Sequence, residues 1–188
     1  MTMLDQISDQ ICTARLGLRQ LRDGDADQLF ALISNWEVVR WLAMPPWPYR
    51  PEHARAFIAT RKMPHPDFIT AAIALDDRLI GVIDAAVKPA SAVQRQRGYA
   101  LGYWLGQPYW GQGYMSEAAR GFVTHVFATI SDDVIYSGVL SGNAASLRIQ
   151  EKLGFTRVGE AMAFSNPNGR EMPNINTMLT RAQFKAAG

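Results

Sequence analysis

The sequence contains a single cysteine, Cys12, and only three histidines. One cysteine cannot form an internal disulfide or build a cysteine-rich metal site. The histidines, at 53, 65 and 125, lack the H-x-x-x-H spacing that places two metal ligands on one helical face. We therefore expect neither a disulfide scaffold nor a bound metal ion.

Long apolar runs and a one-sided charge are also missing. No run approaches the roughly 20 residues that a membrane-spanning helix needs, and residues 1–18 lack the basic start and apolar core of a signal peptide. Lys and Arg total 19 against 17 Asp and Glu, and the basic residues are spread along the chain. This pattern argues against nucleic-acid and membrane partners, although a local basic patch could still bind a small anion. We expect a cytoplasmic protein.

The composition is that of a globular chain. Of its 188 residues, 48% are hydrophobic and 19% are charged. The length predicts one domain over residues 1–188, of which residues 1–12 form a loose lead-in.

Apolar patterning and turn residues predict a mixed sheet of about seven strands flanked by four to five helices, an α/β (α+β) fold. Hairpin turns at residues 76–78 and 166–169 favour antiparallel neighbours, whereas two strand–helix–strand units favour parallel ones. Residues 88–98 are polar and predict a solvated loop. The predicted strands are 14–21, 68–75, 79–87, 100–105, 134–140, 155–164 and 172–179, and the predicted helices are 29–33, 36–42, 52–61, 114–127 and 143–153.

Residues 103–119 combine a strand, a glycine loop and the start of a helix. The apolar strand stops at Gly106, and a loop with Gly111 and Gly113 leads to a helical pattern that begins at Tyr114. The first turn of a helix has N–H groups without internal partners, and glycines let a ligand approach the backbone. The pattern indicates an anion-binding site, and an ordinary strand-to-helix turn is the alternative.

Three stretches, residues 13–35, 101–127 and 141–159, together span nearly the whole chain. They read TARLGLRQLRDGDADQLFALISN, LGYWLGQPYWGQGYMSEAARGFVTHVF and SGNAASLRIQEKLGFTRVG. In this order and spacing they resemble the GNAT N-acetyltransferase superfamily, and most of all the branch that includes the ribosomal-protein N-terminal acetyltransferases.

The resemblance implies a sheet in which two neighbouring strands splay apart and the thioester arm of acetyl-CoA, the acyl donor, enters the gap. It places the pyrophosphate at the glycine loop and the pantetheine at Asn143. The family often has Gln or Arg where this chain has Pro108, a change that we expect to tune affinity only. The cofactor-binding residues carried over in this way are Trp104, Leu105, Gly106, Trp110, Gly111, Gln112, Gly113, Tyr114, Met115, Asn143 and Arg148.

The resemblance also implies attack of an amine on the acetyl thioester, whose carbonyl the N–H group of Leu105 or Gly106 would polarise. Many relatives use a tyrosine as the acid that protonates the thiolate, but Gln150 stands at that position. Ser146, one turn earlier on the same predicted helix, is our candidate substitute. The alternative is that Ser146 only caps or packs.

The base is less directly indicated, because Ala100 stands where relatives often have a glutamate. Asp84 is an acid inside an apolar strand and is our candidate, with a merely hydrogen-bonded carboxylate as the alternative. Glu117 lies in a first helical turn, where the helix dipole alone favours it, and we expect a structural role. Weak base machinery suits an N-terminal α-amine better than a lysine, because the α-amine has the lower pKa.

The leading hypothesis is an N-acetyltransferase that acts on a protein or peptide N-terminus or a small amine. Two alternatives stay open: another acyl donor or a small-molecule acceptor, and a CoA-binding protein with little catalysis. Four prolines in residues 44–51 predict a stiff loop that exposes Trp47 and Tyr49, which could line the acceptor side with residues 166–170. Arg120 is a second candidate for the CoA phosphates. A homodimer is compatible with the resemblance, and no sequence feature decides the oligomeric state.

Overall fold

An eight-stranded sheet with helices on both faces forms the centre of the fold in the computed structural model, which describes residues 10–62, 65, 67–89 and 97–187. The strands are β1 Ile11–Cys12, β2 Gly17–Arg19, β3 Phe68–Leu75, β4 Arg78–Lys88, β5 Gly98–Leu105, β6 Val134–Leu140, β7 Thr156–Ser165 and β8 Arg170–Thr180. The α-helices are α1 Ala26–Ile33, α2 Trp36–Val39, α3 Pro51–Arg61, α4 Tyr114–Thr129, α5 Ala144–Leu153 and α6 Arg181–Ala186.

The predicted mixed, mostly antiparallel fold is confirmed, but both element counts were low. The sheet has eight strands in the order β1-β2-β3-β4-β5-β6-β8-β7, and six α-helices flank it. The additional strand β1 has two residues, too few for an alternating pattern to show. Its position corrects the expected loose lead-in at residues 11 and 12, while residues 1–9 lie outside the described part.

Helix α6 was missed although the sequence carries its start signal. Thr180 accepts a hydrogen bond from the Gln183 N–H, and the Gln183 side chain accepts one from the Thr180 N–H, which is the reciprocal capping box. The polar loop predicted for residues 88–98 is shortened, because Lys88 ends β4 and Gly98 begins β5. Residues 90–96 of that loop lie outside the described part.

Strand β5 separates two layers of core. Tyr103 packs with the cluster under α4 and α5, and its neighbour Trp104 packs with the cluster under α1–α3. Successive side chains of a strand point to opposite faces, which explains the division. On β4, Ile83 and Val82 follow the same alternation. Both strands are therefore covered on both sides, and each can present groups to either face.

Strands β5 and β6 form the one parallel pair among the described residues, and they stay together over only three residues of β5. Pairing runs from Tyr99 opposite Ile135 to Leu101 opposite Ser137 and then stops. Strand β5 continues to Leu105 along β4, and β6 continues along β8. The two strands therefore splay apart beyond Leu101, as the resemblance implied, and they leave a gap in the middle of the sheet.

A buried polar network holds the point where the strands separate. The Ser137 hydroxyl donates to the Leu101 carbonyl at 2.9 Å. Gln150 of α5 is 1% exposed; its Nε2 donates to Ser137 Oγ at 2.8 Å and its Oε1 accepts from Thr177 Oγ1 at 2.6 Å. The network joins α5 to three strands and fixes where the gap begins.

Replacing Gln150 by leucine should destabilise the fold, because it leaves buried hydroxyls without their amide partner. We expect the free energy of unfolding to fall by about 1–3 kcal/mol in urea denaturation. The control is Gln28→Leu on α1, where Gln28 accepts an exposed hydrogen bond from Arg78, and we expect a change within about 0.5 kcal/mol. Equal stability of both variants would contradict a structural role for the network.

Candidate functional site

The edge of β5 that faces the gap carries unpaired backbone groups. The Gly106 N–H donates to the Ile80 carbonyl of β4 at 2.9 Å, and the Leu101 carbonyl points to β6, where it accepts from Ser137. Because successive peptide groups of a strand point to opposite sides, Tyr103 and Leu105 turn their N–H groups toward the gap. Of the two predicted carbonyl-polarising donors, Gly106 uses its N–H in the pairing with β4, whereas the Leu105 N–H is directed to the gap.

Trp110 fixes the end of this edge. Its indole N–H donates to the Leu105 carbonyl at 2.8 Å, while 42% of the residue remains exposed. The peptide unit between Leu105 and Gly106 is thus held on both sides, by Trp110 and by β4. The indole of Trp110 therefore keeps the end of β5 in place beside the gap.

The glycine loop next to the gap has the geometry of an anion-binding site. Gly111 and Gly113 have φ angles of +74° and +79°, a conformation that glycine adopts without strain, and Gly113 is the N-cap of α4. Within the described residues, the backbone N–H groups of residues 111–116 have no hydrogen-bond acceptor. These donors and the positive end of a 16-residue helix favour a bound phosphate.

Arg15, which the sequence analysis did not single out, braces this loop. Its guanidinium donates to the Gln112 carbonyl at 3.0 Å and to Glu117 at 2.7 Å, and it lies over the Tyr114 ring at 4.5 Å. The Arg15 side chain is 46% exposed at the edge of the loop, and Glu117 balances its charge there. Nothing local in the sequence relates Arg15 to a loop about 100 residues away.

Glu117 has the structural role that was predicted for it. Its carboxylate accepts from the Thr13 hydroxyl at 2.6 Å and from the N–H and side chain of Arg15 at 2.7 Å each. Partial burial alone would raise the pKa of Glu117, but these donors outweigh it and hold the pKa below its usual value. Glu117 therefore ties the start of the chain to α4.

Helix α5 brings the other predicted residues to the gap. Asn143 is its N-cap and accepts from the Ser146 N–H at 3.1 Å. Arg148 is exposed on α5, and it has no ion pair among the described residues. Arg120, in contrast, donates to the carbonyls of Lys152 and Ala187 and so joins the ends of α5 and α6. These two contacts give Arg120 a structural role, and its predicted contact with the CoA phosphates stays a prediction.

Tyr103 and Ser146 meet across the splayed region. The Tyr103 hydroxyl lies 3.0 Å from Ser146 Oγ and 3.2 Å from the Ser146 carbonyl. Burial raises the pKa of the Tyr103 phenol, although hydrogen bonds from Ser146 and Gln150 oppose this. In the sequence, Tyr103 belongs to the apolar strand before the glycine loop, and no local pattern indicates a role for its hydroxyl.

Asp84 lies on the opposite face of the sheet, the face that α1–α3 cover. It pairs with Gly102, the first residue of β5 beyond the point of separation. A Cβ at position 102 would lie 2.7 Å from Asp84 Oδ1, so the carboxylate occupies the space that a side chain there would fill. The other oxygen, Oδ2, lies 3.7 Å from Arg61. One oxygen thus faces the start of the gap and the other faces a cation.

The surroundings of Asp84 favour its protonated form. Burial raises the pKa of Asp84 to about 6, and Arg61 opposes the shift only weakly at its distance. Arg61 lies over the Phe68 ring at 3.9 Å, and its Nη1 is buried without a hydrogen-bond partner among the described residues. A carboxyl with a pKa near neutrality at a gap can take up a proton during a reaction.

The turn between β7 and β8, which was predicted to line the acceptor side, packs on the segment that follows α2. Asn166 donates from its side chain to the Met44 carbonyl at 2.7 Å and from its N–H to the Ala43 carbonyl at 2.9 Å. Ser165 and Asn168 donate to the carbonyls of Leu42 and Arg40. These four hydrogen bonds fix the turn to residues 40–44, and its role in lining an acceptor site stays a prediction.

The loop at residues 44–51 exposes one of its two predicted aromatic side chains. Trp47 is 42% exposed and packs against Trp36 with ring centroids 5.1 Å apart. Tyr49 was expected to be exposed as well, but it is 8% exposed and packs in the core under α1–α3. The prolines set the stiffness of the loop, and the apolar surface beneath it decides which ring is buried.

The predicted site residues thus form one region. The glycine loop, Leu105 and the start of α5 surround the gap, Ser146 lies with Tyr103 on one face, and Asp84 lies on the other. Among the described residues, no three His, Cys, Asp or Glu side chains form a metal-binding group. In the same part of the chain, no helix is long and apolar enough to span a membrane.

The raised pKa of Asp84 predicts that stability falls as its proton is lost. The folded chain binds this proton more tightly than the unfolded chain, so the contribution is complete below pH about 4 and is lost as pH rises through about 6. Asp84→Asn should therefore be more stable than wild type at pH 8. With the side chain 28% exposed, solvent screening limits the gain to about 1–2 kcal/mol.

Thermal and urea unfolding of both proteins at pH 4 and pH 8 measures this difference. Asp76→Asn, in the exposed turn between β3 and β4, serves as the matched control. Its difference in stability from wild type should be the same at pH 4 and at pH 8. A variant Asp84→Asn that is less stable than wild type at pH 8 would contradict the raised pKa.

The profile of the acetyltransferase (GNAT) domain matches residues 15–156. The N-acetyltransferase YoaA of Bacillus subtilis, named as uncharacterized, is 27% identical over 157 residues, which cover 84% of this chain and 88% of YoaA. YdaF of the same organism is named as a candidate ribosomal N-acetyltransferase. It is 26% identical, and the match covers 89% of this chain and 92% of YdaF.

Solved structures show the same fold. Mycobacterium smegmatis RimJ, in complex with CoA-disulfide, has a TM-score of 0.79 at 18% identity, covering 93% of this chain and 88% of RimJ. RimL, a ribosomal α-N-protein acetyltransferase in complex with coenzyme A, has a TM-score of 0.77 at 20% identity, covering 92% of this chain and 98% of RimL. The splayed strands, the glycine loop and the domain match agree, and this chain belongs to the GNAT family of acetyltransferases.

Proposed function

We propose that this acetyltransferase transfers acetyl from acetyl-CoA to the N-terminal α-amine of a protein or peptide by direct attack on the thioester. The observation that carries the proposal is the division of proton-handling groups between the two faces of one gap. Asp84 lies on one face and the Ser146 hydroxyl on the other, while the Leu105 N–H points between them. An amine entering from one side and a thiolate leaving on the other match this division.

The donor site is proposed from the backbone. The unpaired N–H groups of residues 111–116 would hold the pyrophosphate, with Arg15 bracing the loop through the Gln112 carbonyl. Asn143 and Arg148 would lie along the pantetheine and the phosphates. Acetyl-CoA supplies the activated acetyl thioester, and the Leu105 N–H would donate to its carbonyl. Removal of a donor of this kind raises the activation free energy by about 3–4 kcal/mol in other enzymes.

Asp84 is the proposed base. Its Oδ1 lies above Gly102, where the gap begins, and its pKa of about 6 leaves it mostly ionised at neutral pH and able to accept a proton from the attacking amine. Gly102 permits this position because it has no side chain. Arg61 would hold the second oxygen and limit how far burial raises the pKa.

Ser146 is the proposed donor to the leaving thiolate. Gln150, at the position where many relatives have a tyrosine, binds Ser137 and Thr177 and has no acidic proton. Ser146 is one helical turn away at the start of α5, with its hydroxyl beside Tyr103. The leaving thiol has a reference pKa of about 8.5, so assistance by an acid is useful without being indispensable.

The proposed acceptor follows from the modest strength of this base. At pH 7.4 an α-amine with a pKa of about 7.7–8.0 is neutral in a sizeable minority of molecules, whereas only about 0.1% of a lysine amine is neutral. A single carboxylate with a pKa of about 6 would assist an α-amine efficiently and a lysine poorly. The names of YdaF and RimL, which concern ribosomal acetylation, support the same class of acceptor.

Acetyl-CoA binding tests the donor site. Gly113→Ala places a side chain in a left-handed conformation at the N-cap of α4, and we expect the Kd for acetyl-CoA, measured by calorimetry, to rise about tenfold or more. The control Gly159→Ala also changes a glycine with positive φ, but on the edge strand β7 with open space around it. No binding by the wild-type chain, or equal Kd values for both variants, would contradict the proposed donor site.

A panel of amines tests the acceptor, with release of CoA as the readout. Short peptides with a free N-terminus should react with kcat/KM about a hundredfold above that of N-acetylated peptides that carry a lysine, as the neutral fractions predict. Polyamines serve as a small-molecule comparison. Preference for lysine or polyamines would overturn the acceptor class, and binding of acetyl-CoA without turnover on any amine would favour a CoA-binding protein with little catalysis.

Active-site variants assign the roles on the best peptide of this panel. Asp84→Asn should lower kcat about a hundredfold, within the range for loss of general acid–base catalysis, while it stabilises the fold at pH 8. Asp76→Asn is the matched control, with an unchanged rate. A rate for Asp84→Asn equal to that of the wild-type chain would remove Asp84 from the mechanism.

A further inference from the structure

The phenol of Tyr103 reaches across the splayed region to the first turn of α5. Tyr103 lies two residues beyond Leu101, where β5 and β6 separate, and its hydroxyl is 3.0 Å from Ser146 Oγ and 3.2 Å from the Ser146 carbonyl. Two hydroxyl groups and one carbonyl therefore share a small polar cluster on the face of the sheet under α4 and α5.

The hydrogen bonds of this cluster allow two arrangements. A phenol and a serine hydroxyl each have one proton to donate and lone pairs to accept, whereas a carbonyl only accepts. When Tyr103 donates to the Ser146 carbonyl, the serine proton can point to the phenol oxygen. When Tyr103 donates to Ser146 Oγ instead, the serine proton becomes available to a third group in the gap.

A serine alone is a poor acid, because loss of its proton would leave an alkoxide. A phenol has a reference pKa of about 10, so charge is far better accommodated on its oxygen. Gln150, which holds the position of the family's tyrosine, accepts and donates within its own network and cannot supply a proton. Strand β5 thus brings to α5 the phenol that the helix itself lacks.

We propose that Tyr103 is the source of the proton that Ser146 passes to the departing thiolate. In this step the acetyl carbon–sulfur bond breaks and the carbon–nitrogen bond forms. The sulfur takes the proton of Ser146 Oγ, Ser146 takes the proton of Tyr103, and the phenolate regains a proton from solvent. The proton lost by the amine leaves through Asp84, so the reaction is balanced. Tyr103 acts through Ser146 and is therefore a positioning residue, and the inference rests on the proposed function.

The resting phenol is protonated at neutral pH. Burial raises the pKa of Tyr103, and the hydrogen bonds with Ser146 and Gln150 oppose that rise. Tyr99 provides a natural comparison, because it lies on the same strand and the same face but within the paired region opposite Ile135. Its hydroxyl is outside the gap.

Tyr103→Phe removes the hydroxyl while keeping the ring. With acetyl-CoA and the best peptide acceptor, we expect kcat to fall about tenfold to hundredfold with the KM for acetyl-CoA within about twofold of wild type. Tyr99→Phe, the matched control, should keep the rate of the wild-type chain. Calorimetry with acetyl-CoA shows that each variant is folded and binds its donor.

The leaving group separates proton supply from packing. An acetyl aryl thioester releases a much weaker base than CoA, so it needs little help from an acid. The ratio of wild-type to Tyr103→Phe kcat/KM should therefore be large with acetyl-CoA and close to one with the aryl thioester. An equal loss with both donors, or no loss with acetyl-CoA, would overturn the inference.

A double variant tests whether the proton passes through Ser146. Tyr103→Phe added to Ser146→Ala should cost no more than Ser146→Ala alone, because the path is already broken. Losses that multiply would overturn the relay. These outcomes differ from failure of the proposed function, in which the wild-type chain itself would release no CoA with any amine and the inference would fall with it.

Discussion

Where β5 and β6 separate after Leu101, the Ser137 hydroxyl donates to the Leu101 carbonyl, and Gln150 holds that hydroxyl in place. A sheet normally satisfies every backbone group along its strands. Here pairing stops and leaves N–H groups of β5 directed into a gap. The donor site, the acid side and the base side are all arranged around that interruption, so the buried Gln150 network supports each of them.

The alternation of side chains along β5 and β4 gives the gap two chemically different faces. Tyr103 points to the side of α5, where it meets Ser146. Gly102 leaves space on the other side, and Asp84 from β4 fills it. Stability and function conflict at Asp84, because its burial raises its pKa and disfavours the ionised form that a base needs. The loss of stability is limited to this one position at the start of the gap.

Local sequence signals predicted the parts of the site that depend on backbone conformation. The strand that ends near Gly106, the two glycines and the helix start at Tyr114 all lie where the pattern placed them. The helix predicted to begin at residue 143 has Asn143 as its N-cap. Such features are determined within a few residues, because helix starts and positive φ angles depend on neighbouring side chains and on glycine itself. Helix α6 could also have been found, since its capping box is written in the sequence.

Other residues could be assigned only from the folded chain. Arg15 reaches a loop about 100 residues away, and Tyr103 meets Ser146 from a different element. Tyr49 was expected at the surface, but the apolar cluster beneath its loop buries it. In each case the deciding contact joins elements that are distant in sequence, and no periodicity or spacing records it.

By itself, the sequence determined the order of the elements, the glycine loop and the acetyltransferase family, because each is set by local conformation or by residues in a fixed order. The tertiary structure alone decided where β5 and β6 separate, that Leu105 rather than Gly106 turns its N–H into the gap, and that Asp84 lies above Gly102. Those outcomes depend on the register between strands, and register is fixed only when the two faces of the sheet pack against their helices.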